Sequence, residues 1–371
     1  KEEVRKAKLV CSYNDLSMNV PVSQGINPED PVFSITPTSV SVPAGGDTFS
    51  IVVVSDARPY EITIVDEWIS LVSREGDRHS GETIVFKARP NIRNASRNGV
   101  VSVCTENGSC IPVMVSQEDH IATYAHHHAA YRFTATWCGW CPYMDEAFQA
   151  VARERSDFDY VTFHASKGYP LYFAACGPLV SAYYIASFPT GVLNGWQNIE
   201  NNIDENYNVS PTVNYIIAAM NSFDESFPCL SEITFTSAVE NGTVEVDARV
   251  TSSITGEIKV VALLLESEIV QTQERFGANA GTYTNFVHNR VARALLSGSI
   301  LGDEVSAEAD VASELHWSKA LDSSWVPENL SVFVGVVRSY NELSGTKAIK
   351  YYPDNYIENS RLAPVGQAVS E

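Results

Sequence analysis

The chain has 371 residues, 44% of them hydrophobic, enough for two or three domains with cores of their own. A net charge of −20 at pH 7 argues against nucleic acid as a partner and against attachment to an anionic membrane by charge. No apolar run approaches the ~20 residues of a membrane-spanning helix. Residues 1–30 are mixed and polar, end in Asn27-Pro28-Glu29-Asp30-Pro31, and read as a tether. From Val32 to Gln117 short strand-like runs alternate with turns: Phe33-Ser34-Ile35, Ser39–Val42, Phe49–Val54, Tyr60–Val65, Thr83–Ala88, Gly99–Cys104 and Ile111–Val115. Strands at this spacing with no helix between them predict a β-sandwich over residues 31–119.

Cys104 and Cys110 flank Thr105-Glu106-Asn107-Gly108-Ser109. A three-residue hairpin loop, Glu106-Asn107-Gly108, puts Gly108 at the left-handed position and sets Cys104 opposite Cys110, close enough to bridge. Such a bridge fits an oxidising compartment, with two unlinked thiols as the alternative. Seven cysteines are an odd number, and Cys11, Cys176 and Cys229 have no evident partner. His126-His127-His128 read as linker, because adjacent residues on a strand face opposite ways and chelate poorly.

A domain over residues 120–228 follows. Ala130–Ala135 has the β-branched and aromatic bias of a short strand, and Trp137-Cys138-Gly139-Trp140-Cys141-Pro142 comes directly after it. Met144, Ala147, Phe148 and Val151 then recur at helical spacing. Two thiols at a helix start can pass between dithiol and disulfide, and the helix N-terminus favours the first as its thiolate. Half of a four-cysteine zinc site has the same spacing, but no second CxxC or HxxxH accompanies it. Tyr160–Phe163 reads as a strand closed by His164. Further on come Ser187-Phe188-Pro189-Thr190-Gly191, an Asn194-Gly195 turn, and Ser210-Pro211 as N-cap and first helical position. That helix carries Val213, Ile216, Ile217 and Met220 inward.

After Pro228 helix signals fade. Thr243–Val250, Ile258–Leu265 and Val332–Val337 alternate or run apolar, which predicts a C-terminal β-sandwich over residues 229–371. No GxSxG, P-loop, strand-borne GxGxxG or DxDxDG is present, and the carboxylates are scattered, so neither cofactor nor metal is expected.

The strand–WCxxC–helix order and the Phe-Pro-Thr loop of the middle segment resemble the thioredoxin superfamily. The resemblance implies that Cys138 attacks, Cys141 resolves and Pro189 is a cis-proline beside them, with Trp137, Gly139, Trp140, Pro142, Phe188 and Thr190 in support. Two departures stand out. Gly139-Trp140 matches neither the reducing nor the strongly oxidising members, and Arg132 takes the place of a buried acid. Arg132 either approaches the sulfurs, which would lower the thiol pKa values, or turns to solvent. His164 would lie near the motif or in a surface loop.

Residues 31–119 resemble the BACON domain through Pro37–Val42, Trp68-Ile69-Ser70, Arg97–Val103 and Gln117. This implies an immunoglobulin-like module associated with carbohydrate, in which Trp68 either stacks on a sugar or fills the core. Thr282–Arg293, containing His288-Asn289-Arg290, resembles the His-Asn signature of the twenty-eight-kilodalton outer-membrane protein (Omp) family. That resemblance implies a secreted lipoprotein with a thioredoxin-like half and a β-sandwich half. Beginning at Lys1 rather than Met, the chain reads as processed or truncated. Lys1-Glu2-Glu3 is similar to the acidic stretch after the lipidated cysteine of some Gram-negative surface lipoproteins. The expected architecture is an α/β thioredoxin-like domain flanked by two β-sandwich domains, extracytoplasmic and lipid-anchored. Two functions follow: thiol-disulfide exchange on secreted protein partners, or a surface binding protein, with glycans as a candidate partner, whose CxxC is a permanent staple.

Overall fold

The computed structural model describes residues 5–13, 16–24, 32–55, 59–91, 95–106, 108–119, 124–339 and 355–370. Contacts divide the chain into two compact units, one ending at His120 and the other beginning at Ile121. In the first, β1 (Arg5–Tyr13) and β2 (Leu16–Gln24) pair antiparallel within the segment read as a tether. Eight strands follow: β3 (Phe33–Thr36), β4 (Ser39–Val42), β5 (Asp47–Ser55), β6 (Tyr60–Ile64), β7 (Ile69–Asp77), β8 (Gly81–Ala88), β9 (Arg97–Thr105) and β10 (Cys110–Gln117). They form two four-stranded sheets, ordered β4-β10-β9-β6 and β3-β5-β8-β7.

Period-two alternation explains the layering: Phe49, Ile51 and Val53 of β5 are buried while Ser50 and Val52 face out. The inner faces meet in one core with Ile84, Phe86, Val101, Val103, Val113 and Val115. Trp68 belongs to that core, with the Arg97 guanidinium over its ring, so it offers no free face to a sugar. Cys104 and Cys110 stand directly opposite in the β9–β10 register and are joined by a disulfide. Gly108 has φ +86°, the left-handed conformation; Asn107 lies outside the described residues.

The second unit starts with β11 (His128–Thr134), α1 (Cys141–Glu154), β12 (Phe158–His164), α2 (Gly177–Ala182), β13 (Thr190–Leu193), β14 (Gln197–Ile199) and α3 (Ser210–Ser226). It continues through β15 (Ser231–Glu240), β16 (Thr243–Ser252), β17 (Gly256–Glu266), β18 (Ile269–Arg275), β19 (Gly281–His288) and β20 (Val291–Leu295). It ends with β21 (Asp303–Ala307), β22 (Ala312–Ala320), β23 (Leu330–Ser339) and β24 (Asn355–Pro364). α3 begins at Ser210 itself with Val209 at the cap position, one residue earlier than the sequence signal placed it.

The expected α/β thioredoxin-like domain between two β-sandwiches does not form as such. Described strands outnumber α-helices twenty-four to three, and the strands on both sides of Pro228 share one nine-stranded sheet. Its order is β14-β13-β11-β12-β20-β17-β23-β24, with β21 paired to β17. The junction is the open edge of β12, where Thr162 pairs with Val291 in parallel and donates from its amide to Arg290 O at 2.8 Å. The helix-and-strand alternation before Pro228 suggested an independent domain because no local signal announces a strand partner about 130 residues away.

The sheet curls until β24 meets the start of β11. Ser360 N donates to His127 O at 3.0 Å and Ile357 N to Asn194 O at 2.7 Å. Tyr131, Phe163, Leu263 and Phe333 fill the enclosed space. α1 and α3 cover one outer face through Met144, Phe148, Ile216 and Met220. The small β15-β16-β22 sheet covers another, with Val246, Val250, Val260 and Val334 between the layers. No helix among the described residues is long and apolar enough to cross a membrane.

Candidate functional site

β11 ends at Thr134, and the turn Ala135–Trp140 leads into α1, which opens at Cys141 with Pro142 in its first turn, where a missing N–H is no loss. Cys138 N donates to Ala135 O at 3.1 Å and Cys141 N to Cys138 O at 3.2 Å, so the two sulfurs are brought together by backbone geometry. Cys138 and Cys141 form a disulfide and are only 3% and 1% exposed. Ala135 and Phe188 pack beside the sulfurs. The Phe188–Pro189 peptide is cis, and Thr190 Oγ1 donates to Ser187 O at 2.8 Å within the same loop.

What covers the turn comes from far along the chain. Strands β18 and β19 form a two-stranded sheet of their own, and β18 lies against the turn. Glu274 N donates to Thr136 O and Phe276 N to Gly139 O, both at 2.8 Å. Gln273 Nε2 donates to Cys138 O at 2.9 Å. The Phe276 ring sits over Gly139 so closely that a Cβ there would lie 2.3 Å from it. Tyr143 Oη donates to Phe276 O at 2.7 Å, and Arg275 pairs with Glu146 at 2.5 Å. Trp140 is 39% exposed and ringed by Phe276, Tyr143 and Tyr207 at 5.8–6.4 Å. Trp137, also partly exposed, donates from Nε1 to Ser166 Oγ at 2.9 Å and flanks Tyr169 and Phe188.

Below α1 lies a buried polar layer. Arg132 neither turns to solvent nor stands unpaired: it is buried, 2.6 Å from Asp145 Oδ1, and donates to Thr162 Oγ1 at 2.9 Å. Burial pushes the Asp145 carboxyl above its usual range, while Arg132 and Gln149 draw it back. His164, the last residue of β12, is buried rather than in a surface loop, and its ring stacks edge-on against His288 at 5.0 Å. Burial, with the nearby His288 and Arg132, holds the His164 imidazole well below its ordinary value. Burial and Arg132 hold His288 down to about 4.

The rest of the His288-Asn289-Arg290 segment fastens the junction. Asn289 O accepts from Thr162 Oγ1 at 3.0 Å, and Asn289 Oδ1 accepts from Glu268 N at 3.1 Å. Arg290 lies over the Tyr160 ring at 4.5 Å, and Arg293 pairs with Glu266 at 3.1 Å.

Cys176 and Cys229 are buried free thiols, with burial pushing Cys176 up to about 11 and Cys229 higher still; Cys11 is exposed. The histidine run is not a mere linker. His128 opens β11, and His126 and His128, on the same side of the chain, converge on Asp224 of α3 at 2.7 and 3.2 Å. Among the described residues no group of three or more His, Cys, Asp or Glu side chains could hold a metal ion.

Asp145, Gln273 and Phe276 escaped the sequence reading. Asp145 alone left a trace, a carboxylate between Met144 and Phe148 on the apolar face of α1. The assembled site is a disulfide between two buried cysteines, the second at a helix start, above a layer of buried polar groups.

Residues 178–349 match the family profile Omp28, "Outer membrane protein Omp28", and residues 58–118 match BACON, "Putative binding domain, N-terminal". The second unit is thus similar to the Omp28 family and the first to BACON domains, and the Omp28 match supports an extracytoplasmic location at the outer membrane or cell surface. No curated protein matches it. Among solved structures, HBP35 of Porphyromonas gingivalis is 15% identical, with 66% of this chain and 76% of that chain covered at a TM-score of 0.49. The Bacteroides ovatus GH5 xyloglucanase in complex with a XXXG heptasaccharide is 16% identical over 33% of this chain and 25% of that one, TM-score 0.22. A protein from Bacteroides thetaiotaomicron is 16% identical over 26% and 97%, TM-score 0.16. Overlaps of this size carry neither fold nor function across.

Proposed function

We propose that this protein is a lipid-anchored surface binding protein in which Cys138–Cys141 is a structural closure rather than an exchanging site. The observation that carries the reading is the burial of both cysteines, 3% and 1% exposed, in a turn to which β18 is hydrogen-bonded. Exchange requires a partner's thiolate to reach a sulfur, and both cysteines are buried while the Gln273–Phe276 segment binds the carbonyls of their turn. An attacking Cys138, a resolving Cys141 and a groove-forming Pro189 belong to the competing exchange reading. The match to a binding domain in the first unit and the outer-membrane match in the second both fit a binding role.

Glycans are the proposed partner class. Trp68 does not supply the contact, being core, so recognition falls to the loops and exposed strand faces of the first unit. A glycan array probed with the whole chain tests this. Saturable binding to a glycan class supports it; a blank array removes glycans and turns the search to protein partners. Thiol-disulfide exchange is the competing reading, resting on the CxxC at a helix start.

A further inference from the structure

We propose that the β18–β19 hairpin is a latch whose closed position is set by the Cys138–Cys141 disulfide. The inference concerns what the disulfide holds in place and does not depend on the identity of the binding partner.

A two-stranded hairpin is marginal on its own in water and needs a third surface. Here the far half of the hairpin has little body contact: the side chains of Gly281–Asn285 and Val287 are exposed. Its root is anchored, with His288 buried against His164. Between root and tip, three of the hairpin's polar holds end on carbonyls of a single four-residue stretch, Thr136, Cys138 and Gly139, and two more, Arg275 with Glu146 and Tyr143 Oη with Phe276 O, reach the first turns of α1. That stretch is the turn the disulfide closes. Phe276 then lies on Gly139, and Gly277 takes φ +72° so that the chain can pass Tyr207 and the Tyr143 hydroxyl, which a Cβ would meet at 2.2 and 2.9 Å. With the disulfide intact, the three carbonyls are a preformed edge for β18.

With the disulfide broken, Cys138 and Cys141 are free to change rotamer, and the carbonyl positions are no longer fixed together. The break needs a dithiol reductant. Its two electrons and two protons pass to Cys138 and Cys141 as two thiols, and the reductant leaves as its own disulfide. Because closure and oxidation share one free-energy cycle, the factor by which the disulfide favours the closed hairpin equals the factor by which closure favours the disulfide. The closed latch therefore resists reduction of the disulfide.

Two measurements on the full chain test the two halves of this cycle. Amide hydrogen exchange over Gln273–Val287 is compared between the native protein and the Cys138→Ala, Cys141→Ala double variant, which leaves Cys104–Cys110 intact. At least tenfold faster exchange is expected there, with β15–β16 amides unchanged as the control for folding. In the native-cysteine background, Phe276→Ala with Arg275→Ala should shift the equilibrium of the pair in graded dithiol buffers tenfold toward the reduced form, about 30 mV. Unchanged hairpin exchange in the first, or an unchanged equilibrium in the second, overturns the proposal. If the hairpin variant loses the control amides, Glu146→Gln replaces it, with a smaller shift in the same direction.

Discussion

Replacing His288 with Gln should remove a large part of the acid sensitivity of the second unit. His288 is buried against His164, and burial and Arg132 hold its imidazole at about 4 rather than the usual 6.5. An unfolded chain takes up the proton near pH 6.5 and the folded chain only near 4. Between those values the unfolded state binds more protons, so stability is full above pH 6.5 and is lost as pH falls toward 4. At about 1.4 kcal/mol per pH unit, the gap is worth about 3 kcal/mol. Asp159 works the other way: burial holds it up at about 6 against Arg290 and Arg361, so it adds stability as pH falls from 6 toward 3.8. The wild-type profile alone would mix these with His164, also held down, whereas the difference between wild type and His288→Gln cancels Asp159 and reports His288 together with its effect on His164. Urea unfolding followed by tryptophan fluorescence suits the purpose, since Trp137, Trp140, Trp196, Trp317 and Trp325 all lie in the second unit. From pH 7 to pH 4, wild type should lose about 3 kcal/mol relative to the variant. A difference that does not move with pH would refute the assignment of a buried neutral imidazole.

Three other substitutions separate the forces that hold the structure. Arg132→Met strands the buried Asp145 carboxylate and should cost about 3–5 kcal/mol in urea unfolding, most of it regained on adding Asp145→Leu. A single variant no less stable than the pair would argue against the ion pair. Gly139→Ala forces the Phe276 ring away and should cost about 1–3 kcal/mol, with faster hydrogen exchange confined to the hairpin. Cys104→Ser with Cys110→Ser opens a short loop and should cost about 2 kcal/mol in the first unit, read as a lowered melting transition.

The parts of the fold that were legible are those written in local period. Alternation in Phe49–Val54 announced an inward face of a sandwich, and the helical spacing of Met144, Phe148 and Val151 announced the buried face of α1. Glycine chemistry did the same for the β9–β10 turn, where Gly108 has positive φ. What local pattern does not encode is which edge finds which. β12 could have ended a domain, yet its edge takes up Val291. The strand-rich segments after Pro228 carried the period of a second sandwich, and half of them instead extend the first sheet.

The site shows the same division. CxxC at a helix start was plain from spacing, while the Phe276 cap and the Asp145 partner of Arg132 depend on tertiary placement. Arg132 read as a departure because its counter-ion was invisible. In the structure the acid is supplied by α1, four residues after Cys141, and the charge is answered within the core.

The central claim is that Cys138–Cys141 is a closed structural disulfide, and its redox equilibrium tests that most directly. The pair is equilibrated in graded dithiol and glutathione buffers, trapped by alkylation and read by mass spectrometry. The account predicts that Cys138 and Cys141 stay oxidised until the potential falls below about −300 mV. A reversible transition between about −120 and −270 mV, the range of known exchangers, would contradict it and return the site to thiol-disulfide chemistry.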